Sequence, residues 1–181
     1  MPFLSSAAWV AHDVGLAAAI GGQLYGTNAM HPALKRIPDP DQRDQVADIA
    51  WRRFSWWNLA AHAVVAATWI AGRTMLTGRE AGKHARRLTI AKDALVGIAV
   101  ATGIGTVVLG RILGRKARHL QGPQRALEGS ADPKVLRLER LCKRVADVNL
   151  IANLGALGTT AVLAMEASES PRFLLRSRRL P

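Results

Sequence analysis

Four stretches of the chain carry no Asp, Glu, Lys or Arg: Val14 to Leu34, Phe54 to Gly72, Ala94 to Gly110 and Val148 to Met165. Each is close to the roughly 17 to 25 residues that an α-helix needs to cross the hydrocarbon layer of a membrane. A helix of a soluble bundle shows an apolar stripe and a polar face. These runs have no polar face, so a soluble bundle is the weaker reading. A barrel would need short segments that alternate apolar and polar residues, and the Ala, Leu and Gly runs do not alternate. The expected fold is all-α, an integral membrane four-helix bundle with helical extensions beyond the bilayer. Residues 1–181 form one transmembrane domain, with spans at about 6–30, 54–73, 90–113 and 144–166.

Punctuation between the runs refines these bounds. His31-Pro32 is expected to let the chain leave the first helix, because proline restricts the residue before it. Ile37-Pro38-Asp39-Pro40-Asp41 reads as a turn and cap, and Gln42 to Arg53 has helical composition that feeds directly into the second run. Trp51, Trp56 and Trp57 stand where indoles favour the headgroup layer. Gln121 to Asp132 has a loop composition, and Asp132-Pro133 suits a cap followed by proline in the first helical turn. A continuous helix from Pro133 to Ala167 would be about 50 Å long and would project from the bilayer. Val135, Leu136, Leu138 and Leu141 are expected to pack that arm against the extension of the second helix.

Charge changes the picture less than its size implies. The 181 residues carry a formal charge of +12, but the basic residues sit in connections beside apolar spans. Anionic lipid headgroups are the nearest opposite charge there, which makes membrane lipids the partner and leaves nucleic acid out. Met1 to Ala8 holds no Lys or Arg, so the first apolar run is expected to stay in the protein rather than be cleaved as a signal peptide. The first connection carries five basic residues and the second carries six, which leaves the orientation open. Cys142 is the single cysteine, so no intrachain disulfide forms. The Ala, Gly and Arg bias points to a bacterial chain, and with it to the cytoplasmic membrane.

Small residues recur every four positions in each run: Ala18, Gly22, Gly26; Ala63, Ala67, Ala71; Gly97, Ala101, Gly105; Ala152, Ala156, Thr160, Ala164. Such ridges let helix backbones approach closely, and packing inside the bundle is the expectation. Polar groups at membrane depth usually face the protein interior. They are His12, Asp13, Asn58, His62, Asp93, Asp147, Asn149 and Asn153. By depth they form two layers, with Asp13 and Asp93 towards the termini and Asn58, His62, Asp147, Asn149 and Asn153 towards the other side. Pairing of Asp13 with Lys92 or Arg87, and of Asp147 with Arg52 or Arg111, is the plain structural expectation; an ion or proton site is the alternative.

Candidate chemistry beyond this is sparse. Bis-histidine haem ligation needs both imidazoles at one height, and His12 and His62 differ by on the order of 8 Å. Met30, His31 and Cys142, with His119 on the same side, offer soft ligands for copper or zinc without a motif spacing. There is no phosphate loop, zinc Cys pair, His-Glu-x-x-His or nucleophile elbow, so no enzymatic activity and no particular cofactor is expected.

The stretch His12 to Leu34, with Gly21-Gly22, an aromatic at Tyr25 and His31-Pro32-Ala33-Leu34, resembles the first helix of bacterial four-helix membrane domains of the copper-resistance D type. The resemblance is confined to that helix, about one eighth of the chain. It implies a compact four-helix bundle and metal handling near Met30 and His31. Two functional expectations follow from the sequence as a whole. One is an accessory or interaction subunit that binds a protein partner in a larger membrane complex. The alternative is a small homo-oligomeric carrier of protons or metal ions such as copper.

Overall fold

A computed structural model of the protein describes residues 2–75, 83–119 and 133–169. The loop expected over Gln121 to Asp132 lies outside the described residues, as do residues 76–82 of the second connection and the side chains of Val135 and His119. The described residues are helical throughout, apart from one turn. Helix α1 spans Pro2–Tyr25, passes through a single wide π turn at Gly26–Met30 and continues as the short α2, His31–Leu34. Helix α3 spans Pro40–Met75, α4 spans Lys83–His119 and α5 spans Pro133–Glu169.

His31-Pro32 does not end the first helix as the sequence suggested. A proline inside a helix lacks an N–H and clashes with the preceding turn. Here the π turn widens the path just before Pro32, which then stands in the first turn of α2. The chain leaves helix only after Leu34. Asp39 then opens α3: its Oδ1 accepts the Asp41 N–H at 3.0 Å, its carbonyl accepts the Arg43 N–H, and Pro40 takes the first helical position. Arg43 folds back to donate from Nε and from its terminal nitrogen to the Ile37 carbonyl, at 3.1 and 2.9 Å, which closes the turn. The second helix does run on from this cap without a break. At about 1.5 Å per residue, α3, α4 and α5 are each about 55 Å long.

Each long helix packs on two others: α1 on α3 and α5, and α4 on α3 and α5. Among the described residues the α3 and α5 backbones do not come together, because these helices stand diagonally across the bundle, although the side chains of His62 and Asn149 meet between them. This corrects the expected docking of the α5 arm on the extension of α3; Leu136 and Leu141 are exposed. The interior faces follow helical spacing. Lys92, Val96, Ala99, Gly103 and Val107 form the buried stripe of α4, and Asn149, Ala152, Asn153, Ala156 and Thr160 that of α5. At mid-height Leu16, Val65, Val96 and Ala156, one from each long helix, meet as the apolar core.

Within these four long helices, Arg86–Arg115 and Leu136–Met165 are long and apolar enough to cross a membrane by length and composition. α1 and α3 hold His, Asn, Gln and Trp residues that dilute their apolar character, and they supply His12, Asp13, Asn58 and His62 among the candidate site residues.

Candidate functional site

The interior polar residues form two clusters on either side of the apolar core. The first gathers His62, Asn58, Asn149, Asn153 and Thr102. His62 is almost wholly buried, and its Nδ1 lies 2.8 Å from the carbonyl of Asn58, one turn earlier on α3. Nδ1 therefore carries the hydrogen and donates it. Nε2 is left as an acceptor and takes a bond from Asn149 Nδ2 at 3.2 Å. The same Asn149 amide donates to the Ala99 carbonyl at 2.7 Å and to Thr102 Oγ1 at 3.0 Å, so it ties α5 to both α3 and α4. Asn153 in turn donates to the carbonyl and side-chain oxygens of Asn149, at 2.9 and 3.0 Å, and fixes the orientation of that amide. The His62 ring lies flat on Gly103: a Cβ there would stand 2.6 to 2.8 Å from three ring atoms. Only glycine lets α4 approach the imidazole this closely.

The second cluster lies towards the chain termini. His12 Nδ1 is 3.2 Å from both the Val65 carbonyl and Thr68 Oγ1. The Thr68 hydroxyl donates to the Val64 carbonyl at 2.6 Å, so it accepts from His12, and Nδ1 is again the protonated nitrogen. The His12 ring leans on the Trp69 indole with centroids 5.7 Å apart. Lys92 is 0% exposed, with Nζ 4.4 Å from the centroid of Trp9 and 4.6 Å from that of Trp69. An ammonium held over indole faces is attracted by their quadrupoles. Gly15 permits the close contact of α1 with α3 just below, where a Cβ would meet Val65 at 2.9 Å and the Ala61 carbonyl at 3.1 Å.

The sequence candidates distribute over this frame as follows. His12, Asn58, His62, Asn149 and Asn153 are buried. Asp13 and Asp93 are half-buried near Lys92, while Asp147 is exposed on α5. The expected pairings are different in the structure. Lys92 faces two indoles instead of bonding Asp13, Arg52 pairs with Asp48 at 2.9 Å, and Arg111 lies over the Trp56 ring at 5.6 Å. His31 packs against Trp51 with centroids 5.2 Å apart and the rings tilted by 50°, next to Met30 at the end of the π turn. Cys142 is half-buried. Among the described residues no three His, Cys, Asp or Glu side chains gather as a metal site.

Three participants carried no motif: Lys92, Thr102 and Gly103. The signal for them was register, since Lys92 and Gly103 fall on the same helical stripe as Val96 and Ala99. The small-residue ridges also divide. Ala152, Ala156 and Thr160 face inward, and Gly22 and Gly26 take Phe54 and Trp51 of α3, but Ala63, Ala67 and Ala71 on α3 and Gly97 and Ala101 on α4 face outward. Internal packing therefore accounts for only part of them. Compared with known proteins, the chain matches no family model, no curated protein and no solved structure.

Proposed function

We propose that the chain is a non-enzymatic, four-span protein of the bacterial cytoplasmic membrane that serves as an interaction subunit of a larger membrane complex. The four-span reading is supported by the distribution of polarity. The largest fully buried side chains include Lys92, His62 and Asn153, whereas Ile70 and Ile151 are 65% and 67% exposed. That arrangement suits a bundle whose polar groups satisfy each other inside and whose outer surface meets lipid. Exposed Trp56 and Trp57 and the basic helix ends suit the headgroup layers, including anionic lipids.

The observation that carries the subunit reading is the outward direction of the α3 and α4 ridges. Ala63, Ala67, Gly97 and Ala101 are exposed, with no helix upon them among the described residues, and small residues in lipid are where another helix packs closely. Against a carrier of protons or metal ions within one chain stands the apolar core. Leu16, Val65, Val96 and Ala156 separate the two polar clusters, which lie about 10 Å apart along α3. The test is gentle detergent extraction from the native membrane, size separation and mass spectrometry. A stoichiometric larger partner, lost when Ala67 and Ala101 are both replaced by Leu, supports the subunit role. Elution of the wild-type chain alone or as a homo-oligomer overturns it and favours the carrier.

A further inference from the structure

Around Lys92 three buried polar atoms have no hydrogen-bond partner among the described residues: Lys92 Nζ, His12 Nε2 and Asp13 Oδ1. Their chemistry is complementary. The ammonium has only hydrogens to give. The imidazole nitrogen, with its hydrogen on Nδ1, has only a lone pair, and the carboxylate oxygen likewise accepts. The three groups share one neighbourhood. His12 and Asp13 are consecutive on α1, the His12 ring and the ammonium both lean on Trp69, and the charge of Lys92 acts on His12 and Asp13 alike. Asp93 of α4 also faces the ammonium electrostatically, but it has partners of its own.

Buried polar groups left unpaired are costly, and native interiors satisfy such groups with ordered water that makes about three hydrogen bonds. An anion would fit poorly, since a carboxylate and an imidazole lone pair face the same space. A metal cation would meet the ammonium. A molecule that accepts one hydrogen bond and donates two fits all three atoms.

We propose that Lys92, His12 and Asp13 form a binding site for a single buried water, which accepts from Lys92 Nζ and donates to His12 Nε2 and Asp13 Oδ1 under the lid of Trp9 and Trp69. The water joins an ammonium on α4 to an imidazole and a carboxylate on α1, two helices whose backbones stand apart and which meet through side chains such as Lys92 and Trp9. The apolar core lies between this site and the His62 cluster, so on the proposed four-span reading the water exchanges with one side of the membrane only.

The test is solid-state NMR of the full chain in lipid, with magnetisation transferred from water to the ring protons of His12 and Trp69. The expected result in the wild type is a transfer peak at His12, which disappears in Lys92→Met and persists in Asp13→Asn, where a carbonyl oxygen still accepts. Should Lys92→Met fail to fold, His12→Phe serves instead: it removes one acceptor and should abolish transfer to the neighbouring Trp69 ring. Absence of any transfer to His12 in the wild type, or transfer unchanged in the Lys92 or His12 variant, overturns the site.

Discussion

Replacing Gly103 by alanine puts the largest demand on the interior for the smallest change in sequence. The new Cβ would lie 2.6 Å from His62 Nε2, 2.7 Å from Cδ2 and 2.8 Å from Cε1, so either the ring or α4 must move. The ring is held at both nitrogens, by the Asn58 carbonyl and by Asn149. Overpacking of this kind costs about 1–3 kcal/mol. Loss of the Asn149 bond leaves a buried nitrogen unpaired for about 1–3 kcal/mol more. Alanine recovers about 1 kcal/mol through its higher helix propensity. The net expectation is a loss of about 1–5 kcal/mol, centred near 3, measured as reversible unfolding in mixed detergent micelles. Gly97→Ala is the control, since nothing lies within 4 Å of its added Cβ, and it should be neutral or slightly stabilising. In a double-mutant cycle, Gly103→Ala should cost little once His62 is already alanine. Equal cost in both backgrounds, or a Gly103→Ala protein as stable as Gly97→Ala, would refute the packing argument.

Asn149→Ala removes a donor shared by the Ala99 carbonyl, Thr102 and His62, and should cost about 2–3 kcal/mol in the same unfolding assay. Asn149→Leu should be no better, because the acceptors stay buried. His31 is held below its ordinary value of 6.5, by burial first and by the neighbouring Lys35 second. Its folded form therefore binds fewer protons than its unfolded form: its contribution is present above pH 6.5 and is lost as the pH falls through the lower folded value. The wild type should lose stability relative to His31→Gln only on acidification, and a constant difference from pH 8 to pH 5 would contradict this.

Much of the fold could be read from the chain because it rests on local rules. The Asp39-Pro40 cap, the continuous α3 and the start of α5 at Pro133 follow from capping and proline chemistry. The inward placement of His12, Asn58, His62, Asn149 and Asn153 follows from helical spacing and, on the four-span reading, from the cost of polar groups in hydrocarbon. Lys92 was harder to place. Next to Asp93 at the edge of an apolar run, it reads as an interfacial lysine that pairs with Asp13. It is buried because two distant indoles, Trp9 and Trp69, close over it, and no local pattern records that meeting. The direction of the small-residue ridges was equally hidden. Spacing shows that a backbone can be approached closely, while the helix order around the bundle decides from which side. Pro32 illustrates a third limit. Its exclusion from a regular helix was sound, but one π turn absorbs it without ending the helix.

The two halves of the chain are unequal in a way that bears on assembly. α4 and α5 are each apolar enough to cross a membrane by length and composition, and they pack on each other. α1 and α3 also pack on each other, but their polar groups reach beyond that pair. His62 needs Asn149 of α5 and the glycine of α4, and Gln23 donates to the Ala146 carbonyl of α5. An unsatisfied polar group in hydrocarbon costs several kcal/mol. On the four-span reading, the first half is therefore stable in the membrane only once the second half supplies its partners. Asn149→Leu should accordingly destabilise α1 and α3 more than α4 and α5, although the substituted residue lies on α5. Amide hydrogen exchange resolved by helix checks this. Faster exchange confined to α5 would show that the halves are not coupled through Asn149, and that the polar cluster fills space without holding the bundle together.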